Sequence, residues 1–409
     1  MNGHKLNRKD FFKTLAVTGA GTTLAMLGCG GNENAGKADA AQNSGQYPAV
    51  PTRPLGNTGM RIPVVFHGIM YNLVENQIVL GKAFQWGMNM VDTSHGYAGG
   101  NSELGIGKYL KRHPEKRKDI IIVSKASGAY NVQQVEEKLQ RSLKRMNTDY
   151  IDIYYGVHGL SDPDELTPEL RRWAENAKKR GVIKKFGFST HRNMAACLQA
   201  ASRLDWIDVI MTSFNFRLMQ DDDMDRAVDA CHAKGIGLIA MKVMALNIST
   251  SGDKELTRHF TQKGYTDGQA KLKAVLDDKR IAGACVTMQN TALIMANAAA
   301  ALDKTSLGRD DHRFLRQYAA QTCDDYCAGC ASICDGALPE APVVSDVMRY
   351  LMYYNSYGEE KKARDLFRKE IPAATRRKLA DLDYSAVERA CPRNLPLGRF
   401  MAEALDKLA

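Results

Sequence analysis

Apolar and polar positions fall into a regular rhythm from residue 61 onward. Short apolar runs alternate with amphipathic stretches at a spacing of about 25 to 35 residues. The runs at 62–69, 88–93, 120–125, 150–158, 183–189, 209–214, 237–243 and 281–288 read as strands. Between them Val135, Leu139, Leu143 and Met146 recur at 3–4 spacing and predict a helix over 132–146. Thr167 followed by Pro168 predicts the start of another over 169–180, with Gly181 as its stop. Eight strand–helix units over about 240 residues match the size of a (β/α)8 barrel. A doubly wound open sheet is the rival, but the Gly-x-Gly-x-x-Gly turn that would follow its first strand is missing. The α/β fold class predicted is therefore a (β/α)8 TIM barrel over 51–308, with chemistry at the C-terminal ends of its strands.

The first fifty residues break this rhythm. Asn7-Arg8-Lys9-Asp10-Phe11-Phe12-Lys13 precedes a 15-residue apolar stretch from Thr14 to Gly28, too short to span a bilayer and suited to a secretory signal. The block resembles a twin-arginine export signal, with Lys9 in place of the second arginine. Met26-Leu27-Gly28-Cys29 resembles a lipobox, which implies a lipid on Cys29; an ordinary signal cleaved elsewhere stays open. The expectation is an export signal over 1–28, a flexible tether over 29–50 and a location in the periplasm or cell envelope. Contact with the membrane is expected only through the N-terminal lipid anchor. Composition adds little to this picture: of 409 residues 44% are hydrophobic and 25% charged, and 56 Lys and Arg against 46 Asp and Glu give +10. The excess is spread out and not interleaved with aromatics, so no nucleic-acid partner is expected.

Three successive strand ends carry chemistry. The second reads Asp92-Thr93-Ser94-His95-Gly96-Tyr97 and leads to Asn101-Ser102-Glu103. The third ends at Lys125, and the fourth runs from Tyr150 through Asp152 to His158. A phenol exchanges protons poorly at neutral pH unless its environment tunes it. A buried ammonium beside it, held by a carboxylate, favours the phenolate, and an imidazole can orient a carbonyl oxygen. Singly, Asp92 could cap a turn, Tyr97 could be a rim aromatic and Lys125 an ordinary strand-end charge. Together and in order they read as a site that trades a proton with a carbonyl or alcohol. His158 stands one residue later than in the family that these motifs resemble, and a bulge at Gly156 would restore its aim.

These motifs, with Leu55-Gly56-Asn57-Thr58-Gly59, resemble the aldo/keto reductases. The resemblance implies Tyr97 as general acid/base, Lys125 and Asp92 as its tuning pair, His158 as substrate-orienting group and NAD(P)H as hydride source. It places Ser189 and Asn215 on the cofactor. Other positions depart from the pattern: Thr190 stands for an Asn, Met211 for a Gln, and Lys242 for the aromatic that stacks on the nicotinamide. Basic residues are also missing after the eighth strand. Weak or unusual cofactor binding, another electron partner, or a barrel without redox chemistry follow as alternatives.

Cys197, Cys231 and Cys285 lie singly on apolar stretches and read as buried small hydrophobes. Cys323, Cys327, Cys330 and Cys334 crowd into twelve residues, and Cys391-Pro392 follows at a distance. Clustered thiolates suit an iron–sulfur cluster or zinc, and in an exported chain also disulfides. The spacing resembles the ferredoxin-like extension of some aldo/keto reductases, together with the stretch from Asp346 to Tyr353. That implies a [4Fe–4S] cluster on Cys327, Cys330, Cys334 and Cys391, with Cys323 a fifth candidate. The expectation is a small, mostly helical, cysteine-ligated domain over 309–409 and a possible electron-transfer partner. The favoured function is oxidoreduction of a small carbonyl or alcohol. A non-catalytic envelope lipoprotein that binds a small ligand such as a sugar at the barrel mouth is the alternative.

Overall fold

The computed structural model describes residues 47–246, 254–322 and 325–409. The predicted export signal, Cys29, nearly all of the tether and Cys323 lie outside the described residues. No described helix is long and apolar enough to cross a membrane.

Eight parallel strands close into a barrel in the order β10-β3-β4-β5-β6-β7-β8-β9. They are β3 (Val65–Gly68), β4 (Met90–Asp92), β5 (Ile121–Lys125), β6 (Ile151–Leu160), β7 (Ile183–Thr190), β8 (Val209–Ser213), β9 (Gly237–Met241) and β10 (Ile281–Thr287). Helices stand between them where the periodicity predicts. Val132–Met146 is capped by the Asn131 side chain, and Pro168–Lys179 by Thr167, which accepts the Leu170 N–H at 3.2 Å. The predicted first strand, 62–69, is two strands. Pro63 lacks the N–H that would continue a ladder, so β2 (Arg61–Pro63) ends there and pairs antiparallel with β1 (Thr52–Pro54). This hairpin closes the N-terminal end of the barrel, where Leu55 and Ile62 join Phe66, Met90, Val123 and Ile153 in one buried cluster.

Strand β6 carries two irregularities against β7. Its register shifts between Tyr155 and Val157 and again between His158 and Leu160, at Gly156 and Gly159. A Cβ at Gly156 would lie 2.5 Å from Phe186 Cε2, and Gly159 adopts φ +89°. Two glycines thus let one strand bulge twice and re-aim His158, as the late position of that residue requires.

After the barrel the chain is helical, from Arg309–Gln321 to Leu397–Leu408, around a second core that includes Val347, Leu351, Phe367, Phe400 and Met401. This domain docks on the C-terminal face of the barrel. Arg192, just past β7, donates to Asp346 at 2.9 Å, and Asn193 exchanges backbone and side-chain bonds with Gly329 and Ser332. Arg217 donates to Thr322 at 2.6 Å, and Asn215 donates to the Tyr326 hydroxyl at 3.0 Å.

Candidate active site

The ends of β4, β5 and β6 bring Asp92, Lys125 and His158 together with Tyr97 from the turn that follows β4. Asp92 and Lys125 are 3% and 1% exposed. The Lys125 ammonium donates to both Asp92 oxygens and, at 2.8 Å, to the Thr93 carbonyl. All three of its protons are therefore engaged. Its Nζ also lies 4.8 Å from the centroid of the Tyr97 ring. Burial pushes the Asp92 carboxyl up, and Lys125 works against that shift.

The tuning of Tyr97 differs from the sequence expectation. Burial first, then the charges of Asp92, Cys285 and Tyr353, raise its phenol well above the usual value. The ammonium expected to pull it down is neutralised by Asp92. Tyr97 is thus held in its protonated form, as a proton donor, through the neutral range.

His158 lies against Tyr97, ring centroids 5.8 Å apart and nearly perpendicular. Burial, then Lys125 and Arg349, lower its pKa to about 3, so the imidazole is neutral. Nδ1 bonds Ser127 Oγ at 2.6 Å; Ser127 bonds Ser94, and Ser94 donates to the Lys125 carbonyl at 3.2 Å. A carbonyl only accepts, so the chain of donors runs from His158 Nδ1–H through Ser127 and Ser94 to that oxygen. Nε2 is then an acceptor. The imidazole therefore orients a hydroxyl better than a carbonyl.

The turn that carries Tyr97 is held from below. Ala98 has φ 50° and Gly100 φ +98°, and a Cβ at Gly100 would lie 2.6 Å from Arg145 Cζ. Arg145 donates to the His95 carbonyl at 2.8 Å and to Glu103 at 3.1 Å, and the fully buried Glu103 accepts from Ser124 at 2.7 Å. Ser127 and Arg145 are contributors that the sequence reading passed over; neither lies in a motif, and only packing brings them under the turn.

The two predicted cofactor residues stand differently. Ser189, 1% exposed, accepts the Gly159 N–H at Oγ at 3.2 Å. The Asn215 amide donates to the Lys242 carbonyl and to Tyr326, and accepts from the N–H groups of Arg217 and Leu218. Both of its ends are committed within the protein. Lys242, just past β9 with φ 54°, places its ammonium 5.3 Å from the centre of the Tyr353 ring on helix Val344–Tyr357. Arg349 of the same helix sits close enough to His158 and His191 to lower both. A narrow cavity of about 40 Å³ separates this helix from the barrel, lined by His191, Lys242, Cys327 and Arg349 among others.

Cys327, Cys330, Cys334 and Cys391 are free thiols, so the disulfide alternative does not hold among them. They share one neighbourhood. Burial and then the neighbouring cysteines push Cys330 and Cys334 up to about 12. Among the described residues, no group of three or more His, Cys, Asp or Glu side chains is disposed to hold a metal ion. The donor chemistry suits iron, but the convergence that a resident cluster needs is not present in this conformation. Cys197 and Cys231 are buried singly as expected, each raised to about 12 by desolvation and thus unreactive.

Comparison with known proteins gives a consistent answer. Residues 70–308 match the model of the aldo/keto reductase family. L-galactose dehydrogenase of Arabidopsis thaliana is 26% identical over 64% of this chain and 91% of its own length. L-glyceraldehyde 3-phosphate reductase of Escherichia coli is 25% identical over 51% of this chain and 65% of its own length. Among solved structures, an aldo-keto reductase from Bacillus halodurans in its holo form superposes with TM-score 0.56 at 20% identity, covering 66% of this chain and 96% of that one. That likeness speaks to the fold.

Proposed function

The chain belongs to the aldo/keto reductase family and is an oxidoreductase; we propose that it interconverts a small carbonyl compound and the corresponding alcohol at the mouth of the barrel. One observation carries the reading: a buried Asp92–Lys125 ion pair at adjacent strand ends stands against the half-buried Tyr97 phenol of the turn after β4.

In the direction of reduction, Tyr97 gives its proton to the carbonyl oxygen as charge develops there. Lys125, fixed by Asp92, holds its ammonium 4.8 Å from the centre of the Tyr97 ring and so orients the phenol. His158 positions the substrate by accepting a hydrogen bond at Nε2. The nicotinamide that the family uses supplies or accepts the hydride when bound. Ser189 is the group in this chain that would hold its carboxamide, and Asn215 would act indirectly, by fixing Lys242 and Tyr326. A raised phenol stays protonated through the neutral range, so reduction is favoured there and oxidation gains as pH rises toward the Tyr97 pKa. The same reading takes the chain to be exported by the twin-arginine route and lipid-anchored at Cys29 in the cell envelope. It also takes Cys327, Cys330, Cys334 and Cys391 to bind a [4Fe–4S] cluster that meets an electron-transfer partner. The motifs of the sequence support both.

Tyr97→Phe tests the chemistry. Carbonyl reduction with NADPH or NADH should fall by about 10²–10⁴-fold, while substrate affinity measured by calorimetry stays within a few-fold. Equal turnover by both proteins would remove Tyr97 from the mechanism. Ligand binding by both with turnover by neither would leave a binding protein.

A further inference from the structure

The family match ends at residue 308, yet residues beyond it help to enclose the narrow cavity beside Lys242. Ser345 and Arg349 of helix Val344–Tyr357 line it from one side. Arg192, Ser213 and Lys242, at or just past the ends of β7, β8 and β9, line it from the other. Three of these five residues keep a buried polar atom without a partner: Arg192 Nε, Ser213 Oγ and Ser345 Oγ. Ser213 and Ser345 are 4% and 3% exposed. A buried donor left unpaired costs free energy, and in folded proteins such atoms meet a protein group, a water or an ion.

The lining sets the charge of the missing partner. Lysine and arginine side chains only donate, and a serine hydroxyl can donate. Arg192 and Arg349 both bond Asp346, at 2.9 and 2.8 Å, and Asp335 lies 3.7 Å from Arg192. Among the described residues Lys242 pairs with no carboxylate; the centre of the Tyr353 ring lies 5.3 Å from its ammonium. Three cations thus meet two carboxylates, and neither carboxylate lines the cavity. Burial raises the Cys327 thiol, which also lines it, so that group is uncharged. A volume of about 40 Å³ has room for roughly three waters, whereas pockets for larger organic ligands enclose on the order of 300–1,000 Å³.

We propose that this cavity binds one small inorganic oxyanion, phosphate or sulfate, which accepts from Lys242, Arg192 and the Ser213 and Ser345 hydroxyls and so fastens the helical domain to the barrel. The site is distinct from a nicotinamide pocket, because Ser345 and Arg349 lie beyond the family match and the volume admits no dinucleotide. It holds whichever carbonyl compound the barrel turns over.

The full chain, purified in Tris chloride free of phosphate and sulfate, would be titrated calorimetrically with each of those two anions, alongside Lys242→Met, Ser213→Ala and Ser345→Ala. The expected result is saturable binding of one anion per chain by the wild type. Lys242→Met should lose affinity by about 10- to 100-fold, and each serine variant by about 3- to 10-fold. Melting temperature is a second readout, and its sign should reverse. In chloride alone the serine variants should melt at or above the wild type, because an unpaired hydroxyl has gone. In phosphate they should melt below it, because the ligand stabilises the wild type more. No saturable binding by the wild type would overturn the site, and so would equal affinity in all four proteins, the mark of an adventitious ion only. Displacement of the anion by NADPH in simple competition would also overturn it, by giving these donors to the cofactor.

Discussion

At the scale of the residue, the site turns on where the Lys125 protons go. Strand-end positions in the sequence identify Asp92, Tyr97 and Lys125 because strand ends in a barrel converge on one face. Their charge state is not legible there. It depends on burial and on the direction of each N–H, which makes Lys125 a partner of Asp92 and leaves Tyr97 protonated. Removing the ammonium strands a carboxylate that is 3% exposed. Lys125→Met should therefore cost about 3–5 kcal/mol of stability at neutral pH, the range for breaking a buried pair from one side. Asp92, already raised by burial and now without its cation, should rise further and take up a proton, so the loss should shrink as pH falls. Urea unfolding at pH 7 and pH 5 measures this. A loss equal at both values would show that Asp92 does not change its protonation with Lys125 gone.

Elements place these residues, and β6 shows where sequence pattern stops. The run is legible as a strand, and the late position of His158 signals an irregularity. The second shift at Gly159 is not legible, because a bulge is a relation between two strands rather than a property of one. Likewise the family resemblance points to Ser189 and Asn215, but one of the partners that commit Asn215 is Tyr326, more than a hundred residues away. Gly156 is where the first shift can be tested. A methyl group there would sit 2.5 and 2.8 Å from the Phe186 ring, too close without moving ring or strand. Gly156→Ala should destabilise the chain by about 1–3 kcal/mol, as overpacking does. It should also lower kcat through His158 more than the lost stability explains. The split between the urea midpoint and kcat, measured at a temperature where the variant is fully folded, reads the two effects separately.

For the whole molecule, the cysteine spacing announced a separate helical domain, and the structure docks that domain on the C-terminal face of the barrel. The reason it was illegible is range: Arg192 with Asp346, Asn215 with Tyr326 and Lys242 with Tyr353 pair residues about 110 to 150 positions apart. No periodicity reports contacts of that kind. The coupling has a consequence for the proposed cluster. Cys330 and Cys334 flank the start and middle of a short helix, Ala331–Ala337, and Cys391 follows Ser385–Ala390; those two helices pack together beneath Val344–Tyr357. A cluster bound by these thiols would fasten the same short elements that seat Arg349 and Tyr353, and metal–thiolate binding free energy is folding free energy. If the thiols gather round a cluster that their present arrangement does not form, chain purified without oxygen should carry about four irons and four sulfides. Chelation under oxygen should lower the melting temperature of the helical domain, and it should raise KM for the substrate before the barrel itself unfolds. Iron-free chain with the same melting temperature and the same KM would show that buried thiols and the ion pairs at Asp346 suffice to hold the domain. The cysteines would then be packing residues.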